Sequence, residues 1–182
     1  MSRIPPAPLA DLPTELAAEL DAIRQPLGRL PNMIAVLANS ASALDGYLKL
    51  DRALSQGRIA PETRQRIQLA IAEINGCAYC LSAGVHHARQ RGGLDDAEIT
   101  ANRNGASNDP KADAAVRLAV LVALARGRVS DADLARFKAS GYGDEEAIEI
   151  AALVALSTLK NTVNNLALTD IDFPPVALRR AA

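Results

Sequence analysis

Apolar positions recur at three- and four-residue intervals along most of the chain. Between Pro110 and Arg126 they fall at Ala115, Leu118, Ala119, Val122 and Ala125, the one-face spacing of a packed helix. Helix-breaking signals separate such stretches. Pro13-Thr14-Glu15 opens a short amphipathic helix that should end before Gln25-Pro26-Leu27-Gly28. Pro31 stands at a first helical position, and the apolar run after it predicts one long helix closed by Gln56-Gly57. Ala60-Pro61-Glu62-Thr63 starts the helix ETRQRIQLAIAEI, which Asn75-Gly76 breaks. Cys77 to Arg91 reads as a new helix, stopped by Gly92-Gly93.

Further along, Asp95-Asp96-Ala97-Glu98 is a short helix start with acidic residues in its first turn. Residues 102–109 form a turn-rich loop. Ser130 caps the next helix, with Asp133 three residues on in the manner of a capping box. After the Gly141-Tyr142-Gly143 break, a long apolar helix should run from Asp144 through Leu168. Pro5, Pro6, Pro8 and Pro13 make the first dozen residues an extended arm. No alternating strand pattern of useful length occurs. The prediction is a single all-α domain over residues 13–174, preceded by an arm (1–12) and followed by a tail (175–182).

Composition agrees with that class. The 182 residues include three Tyr, two Phe and no Trp, and small aliphatic residues carry the apolar fraction, which suits close helix packing. A net charge of −1 with interspersed signs argues against a nucleic-acid surface. No stretch approaches the roughly 20 apolar residues of a spanning helix, and MSRIPPAPLADLP does not read as a secretory signal, so a cytoplasmic location is expected.

The candidate chemistry is concentrated in EINGCAYCLSAGVHHAR, which holds both cysteines, Cys77 and Cys80, and both histidines, His86 and His87. Gly76 lets the chain turn so that Cys77 begins a helix and Cys80 lies about one turn in. A helix N-terminus favours a thiolate, and residues three apart share a face at about 5–6 Å between Cβ atoms. That geometry favours a reversible dithiol over two inert cysteines. Zinc is the rival, but adjacent histidines diverge by about 100° and cannot both turn to the cysteine face. No metal and no cofactor beyond the dithiol is therefore expected.

The motif AEINGCAYCLSA, the helix before it and the tail NTVNNLALTDIDFP resemble the AhpD-like (alkylhydroperoxidase D) branch of the carboxymuconolactone decarboxylase superfamily, and more closely its peroxidase-related group. The resemblance spans about Pro31 to Pro174. It implies an AhpD-like helical bundle assembled as a homo-oligomer, a trimer or hexamer. It implies a thiol-dependent peroxidase or disulfide oxidoreductase with an antioxidant role, acting on a peroxide or small disulfide and regenerated by an external thiol or dithiol. Cys80 would attack the peroxide from deeper in a pocket, and the more exposed Cys77 would resolve the product.

Two positions depart from the family pattern. Its proton relay uses a glutamate where this chain has Gln65 and a histidine where it has Gly84, so activity is expected to be weak. His87 lies seven residues beyond Cys80, within about 20° of the same face but a rise of about 10 Å away, and could act through a water. Gln65, His87 and Glu73 are thus the candidates for a relay or its support, with Glu73 also read as a surface carboxylate. His86 faces elsewhere, as a surface or interface residue, and Tyr79 points away from the cysteine face, to pack or to shield. Asn161 and Asn165 share a face of an apolar helix and suggest amide pairing with another helix or subunit, and Asn161, Asn164 and Asn165 read as structural. Two alternatives follow: a non-peroxidatic binding or scaffold protein with a degraded relay, and a carboxymuconolactone-type decarboxylase, which would not need the dithiol.

Overall fold

A computed structural model describes residues 1–90 and 92–179, the side chains of Asp11 and Leu27 excepted. Among these the chain is all-α, one domain of nine α-helices without strands, and the N-terminal arm, expected to be extended, carries a one-turn 3-10 helix at Leu9–Asp11. They are α1 (Thr14–Leu27), α2 (Asn32–Leu37), α3 (Ala41–Ser55), α4 (Pro61–Ile74), α5 (Ala78–Gln90), α6 (Asp96–Arg103), α7 (Pro110–Ala125), α8 (Asp131–Ala139) and α9 (Asp144–Ala167). The predicted extension of the cysteine helix to Arg91 and the end of the tail, residues 180–182, lie outside the described residues.

Helix α4 is the hub, packing against α5, α6, α7 and α9. It has no exposed face over its second half: Ile67, Leu69, Ala70, Ile71 and Ala72 are all buried, because helices surround it. Ile67 and Ile71 meet Val116, Ala119, Phe137, Ile150 and Leu153 from α7, α8 and α9. Leu69 and Ala72 turn to Leu81, Val85 and Ile99 on α5 and α6. A separate cluster joins α1, α2 and α3 to Leu156 of α9. Each large aliphatic side chain buried this way contributes about 1.5–3 kcal/mol.

Two boundaries differ from expectation. The long helix after Pro31 is two helices, since the chain breaks at residues 38–40. There Ser40 caps α3, accepting from the Ala43 N–H at 3.3 Å, and Asn39 turns its amide to the carbonyls of Pro5 and Val36. Helix α1 runs past Pro26 to Leu27 and ends on Gly28 in the left-handed region. A proline in the last turn removes one donor but leaves the helix already formed before it. The Ser130 cap is present, its hydroxyl accepting from the Asp133 N–H at 3.1 Å.

The N-terminal arm lies against the end of α9. The N–H groups of Arg3 and Ile4 both donate to the Ala167 carbonyl, at 2.6 and 3.2 Å, and Ala7 donates to Ala35. The segment after α9 returns across the molecule to α5. Asp172 accepts from Arg29 and from the Asn32 N–H, Val176 N–H donates to Ser82 Oγ, and Arg179 N–H donates to Glu73.

Candidate active site

The corner between α4 and α5 sets the dithiol. Asn75 leaves the helix and Gly76 takes φ +61°, a left-handed value favouring glycine. The Gly76 N–H then donates to the Glu73 carbonyl and the Cys77 N–H to the Ala72 carbonyl at 2.9 Å, a Schellman closure of α4. Cys77 is delivered directly as the first cap of α5. Its carbonyl accepts from Leu81 N–H at 2.9 Å, and its sulfur accepts from Cys80 N–H at 3.2 Å. The Asn-Gly pair read as a helix break is thus also the device that places one thiol at a helix N-terminus.

Both cysteines are free thiols, and their exposures reverse the order that the resemblance implied. Cys77 is fully buried, whereas Cys80 is half-buried and lines a cavity of about 530 Å³. Apolar walls from Met33, Ile34, Leu48, Tyr79 and Phe173 alternate with polar ones from Asp51, Arg64, Gln65 and Lys160, the lining being contributed by six helices and the C-terminal segment. Helix α5 turns Cys77 in toward the α4 corner and leaves Cys80 facing open space.

Around Cys80 the environment favours the anion. The thiol of Cys77 hydrogen-bonds to it, and although burial opposes ionisation, Asn161, the Lys160 charge and Asn164 reinforce the first effect, bringing Cys80 to about 7. The Asn164 amide donates to the sulfur at 3.2 Å and to the Lys160 carbonyl at 3.0 Å. Cys77 is driven the other way, by its bond to Cys80, by burial and by the neighbouring charge, so it keeps its proton. One nucleophile and one proton-bearing partner result.

The other candidates divide. Gln65 and Gly84 line the cavity and are bonded to each other, Gln65 Nε2 donating to the Gly84 carbonyl at 3.0 Å. A Cβ at Gly84 would stand 3.0 Å from Leu69 Cδ2 and 3.6 Å from Gln65 Nε2, so the two departures form a single locus. His87 also lines the cavity, its ring 5.5 Å from those of His86 and Phe173. His86 is half-buried, its ring 5.5 Å from that of Phe173. Glu73 lies elsewhere and is buried rather than on the surface. It accepts from Arg103 Nε at 2.7 Å and from Arg179 N–H at 2.6 Å, and lines a different cavity. Tyr79 is buried within its own chain, its hydroxyl accepting from Met33 N–H and its ring edge-on to Phe173 at 5.8 Å.

The asparagines carry more than the sequence reading gave them. Asn161 and Asn165 pair with another helix end as expected, both bonding Asn75, but Asn161 also reaches the thiols. Asn164, three residues from Asn161 and buried, makes the direct contact to Cys80. The signal available in the sequence was its place on the apolar stripe of α9, where an amide needs a buried partner. Among the described residues no three His, Cys, Asp or Glu side chains form a metal cluster, and no helix is long and apolar enough to cross a membrane.

The carboxymuconolactone decarboxylase family model matches residues 39–120, which include the whole α4–α5 corner. A comparison with curated proteins finds no match. Among solved structures, the AhpD-core, peroxidase-related protein from Ralstonia eutropha JMP134 is 26% identical, covering 94% of this chain and 92% of that one, with a TM-score of 0.82. A peroxidase-related protein from Silicibacter sp. TM1040 is 24% identical over 95% and 93%, with a TM-score of 0.77. The debrominase Bmp8, solved as a Cys-to-Ala variant with 2,3,4-tribromopyrrole, shares the fold at 22% identity over 93% and 91%, with a TM-score of 0.70. Over residues 39–120 the chain thus matches the carboxymuconolactone decarboxylase family model, and its fold as a whole is similar to that of the AhpD-core, peroxidase-related protein.

Proposed function

We propose that this protein is a thiol-dependent peroxidase or disulfide oxidoreductase working through Cys80 and Cys77. The observation that carries the reading is a Cys80 thiol near pKa 7 facing the cavity with a protonated Cys77 hydrogen-bonded to it. The Cys80 thiolate attacks the terminal oxygen of a hydroperoxide, forming an S–O bond as the O–O bond breaks, and an alcohol leaves once it gains a proton. The Cys77 thiol then displaces water from the Cys80 sulfenic acid to form the disulfide, which an external dithiol reduces. A cavity of about 530 Å³ whose walls include Met33, Ile34, Leu48 and Phe173 is far larger than hydrogen peroxide needs and suits an organic hydroperoxide. The exposed Ile148, Leu159 and Leu166 of α9 fit a homo-oligomer, which light scattering on the purified protein would test.

The deciding experiment is steady-state consumption of cumene hydroperoxide with a dithiol reductant. Cys80→Ser should abolish it, and unchanged turnover would sink the mechanism. The Gln65–Gly84 bond favours a second reading, a binding or scaffold protein that keeps the dithiol without peroxidase turnover. Wild-type protein inert to hydroperoxide but readily oxidised and reduced at the dithiol would select it.

A further inference from the structure

If Cys80 opens an O–O bond, the departing alkoxide must take a proton from somewhere. The locus that Gln65 and Gly84 occupy cannot supply it: an amide is no acid, and its N–H is held by a backbone carbonyl. The titratable or charged groups facing the cavity besides the cysteines are Tyr47 and Asp51 of α3, Arg64 of α4, Tyr79 and His87 of α5, and Lys160 of α9. Burial makes both phenols weaker acids, and Tyr79 is already engaged with Met33. Arg64 spends Nη1 on the carbonyls of Leu54, Ser55 and Ile59, and a guanidinium does not release its proton.

Lys160 differs in three respects. It is half-buried, and no carboxylate forms an ion pair with its ammonium among the described residues. Its backbone carbonyl holds the same Asn164 amide that donates to Cys80, and its side chain lines the cavity with Cys80 and acts on that thiol through its charge. Ser157, one turn earlier on α9, also lines the cavity. Its hydroxyl is buried and has no hydrogen-bond partner, which marks this stripe as a place awaiting a ligand's polar atom.

We propose that Lys160 is the general acid of this site, giving its ammonium proton to the alkoxide oxygen released when Cys80 takes the terminal oxygen of the hydroperoxide. The step balances: thiolate, hydroperoxide and ammonium become sulfenic acid, alcohol and amine. The inference rests on the peroxidase reading above and deepens it.

The test exploits the leaving group. Reduced full-length protein is oxidised in single turnovers by tert-butyl hydroperoxide, which expels an alkoxide, and by peracetic acid, which expels a carboxylate needing no proton. Lys160→Met should slow the first reaction on the order of a hundredfold and the second less than tenfold. Lys160→Arg, which keeps the charge but not a transferable proton, should show the same selective loss. Equal slowing with both oxidants, or full recovery in the arginine variant, would mean that Lys160 acts only through its charge and would overturn the proposal. A selective loss in His87→Gln and not in Lys160→Met would move the role to His87. Wild-type protein inert to both oxidants would remove the peroxidase reading and this one with it, whereas a reactive wild type with unchanged selectivity in the Met variant removes only the role of Lys160.

Discussion

Replacing Asn164 by leucine should separate thiol chemistry from stability. The amide N–H lies 3.2 Å from Cys80 Sγ, and a hydrogen bond to a charged acceptor contributes about 1.5–3 kcal/mol. Each pKa unit is about 1.4 kcal/mol, so losing the bond should raise Cys80 by about one to two units from its value of about 7. At pH 7 the thiolate fraction then falls from about a half to between about a tenth and a hundredth. Stability should move little, because the Asn164 carbonyl oxygen is buried without a partner and leucine removes that cost along with the bond. The assay is the pH dependence of iodoacetamide alkylation of the reduced protein, beside thermal melting. Asn164→Asp, placing a negative charge against the sulfur, should shift the midpoint further upward than leucine does. An alkylation midpoint unmoved in both variants would refute the assignment of Asn164 to the thiolate.

Restoring both relay positions, as Gln65→Glu with Gly84→His, should raise hydroperoxide consumption most below pH 7. At pH 6 about a tenth of Cys80 is ionised, so a base in the site can gain up to about tenfold there and almost nothing at pH 8; a gain independent of pH would refute this account. Leu69, whose terminal methyl is the nearest atom to the new Cβ, must shift by a few tenths of an ångström to admit it. Acid stability should depend on Glu98. Burial raises its carboxyl, but hydrogen bonds from Ser107, Asn102, Asn108 N–H and Arg66 win and lower it from 4.5 to about 2. A depressed folded-state pKa stabilises above the unfolded value, so about 3 kcal/mol is present above pH 4.5 and is lost as pH falls toward 2. Urea midpoints of wild type and Glu98→Gln across that window should converge as pH drops, and parallel curves would contradict the reasoning.

What was legible in the sequence was mostly what the backbone decides locally. Asn75-Gly76 announced the corner, Ser130 and Asp133 announced a cap, and the CxxC spacing announced a dithiol at a helix start, because each works within a few residues. Ser40 offered the same kind of signal, but the apolar run around it masked the break between α2 and α3. Long-range partners were not legible. Glu73 read as a surface carboxylate until Arg103, thirty residues on, and Arg179 covered it. The order of exposure of Cys77 and Cys80 depends on which side of α5 faces α4, a packing outcome that the motif does not encode. Asn164 had no motif to mark it, and only the crossing of α9 over α5 gives it the sulfur.

The contact between the arm and α9 bears on how long the thiolate stays tuned. Helix ends open first in native proteins, and Asn164 sits in the last turn of α9, three residues before its last residue, Ala167. The Ala167 carbonyl there is held by Arg3 and Ile4, residues more than 160 positions away in the chain. Fraying that would draw the amide off Cys80 must therefore first peel the opposite end of the polypeptide away. The first residues of the chain act as a latch on the reactivity of a cysteine they never touch.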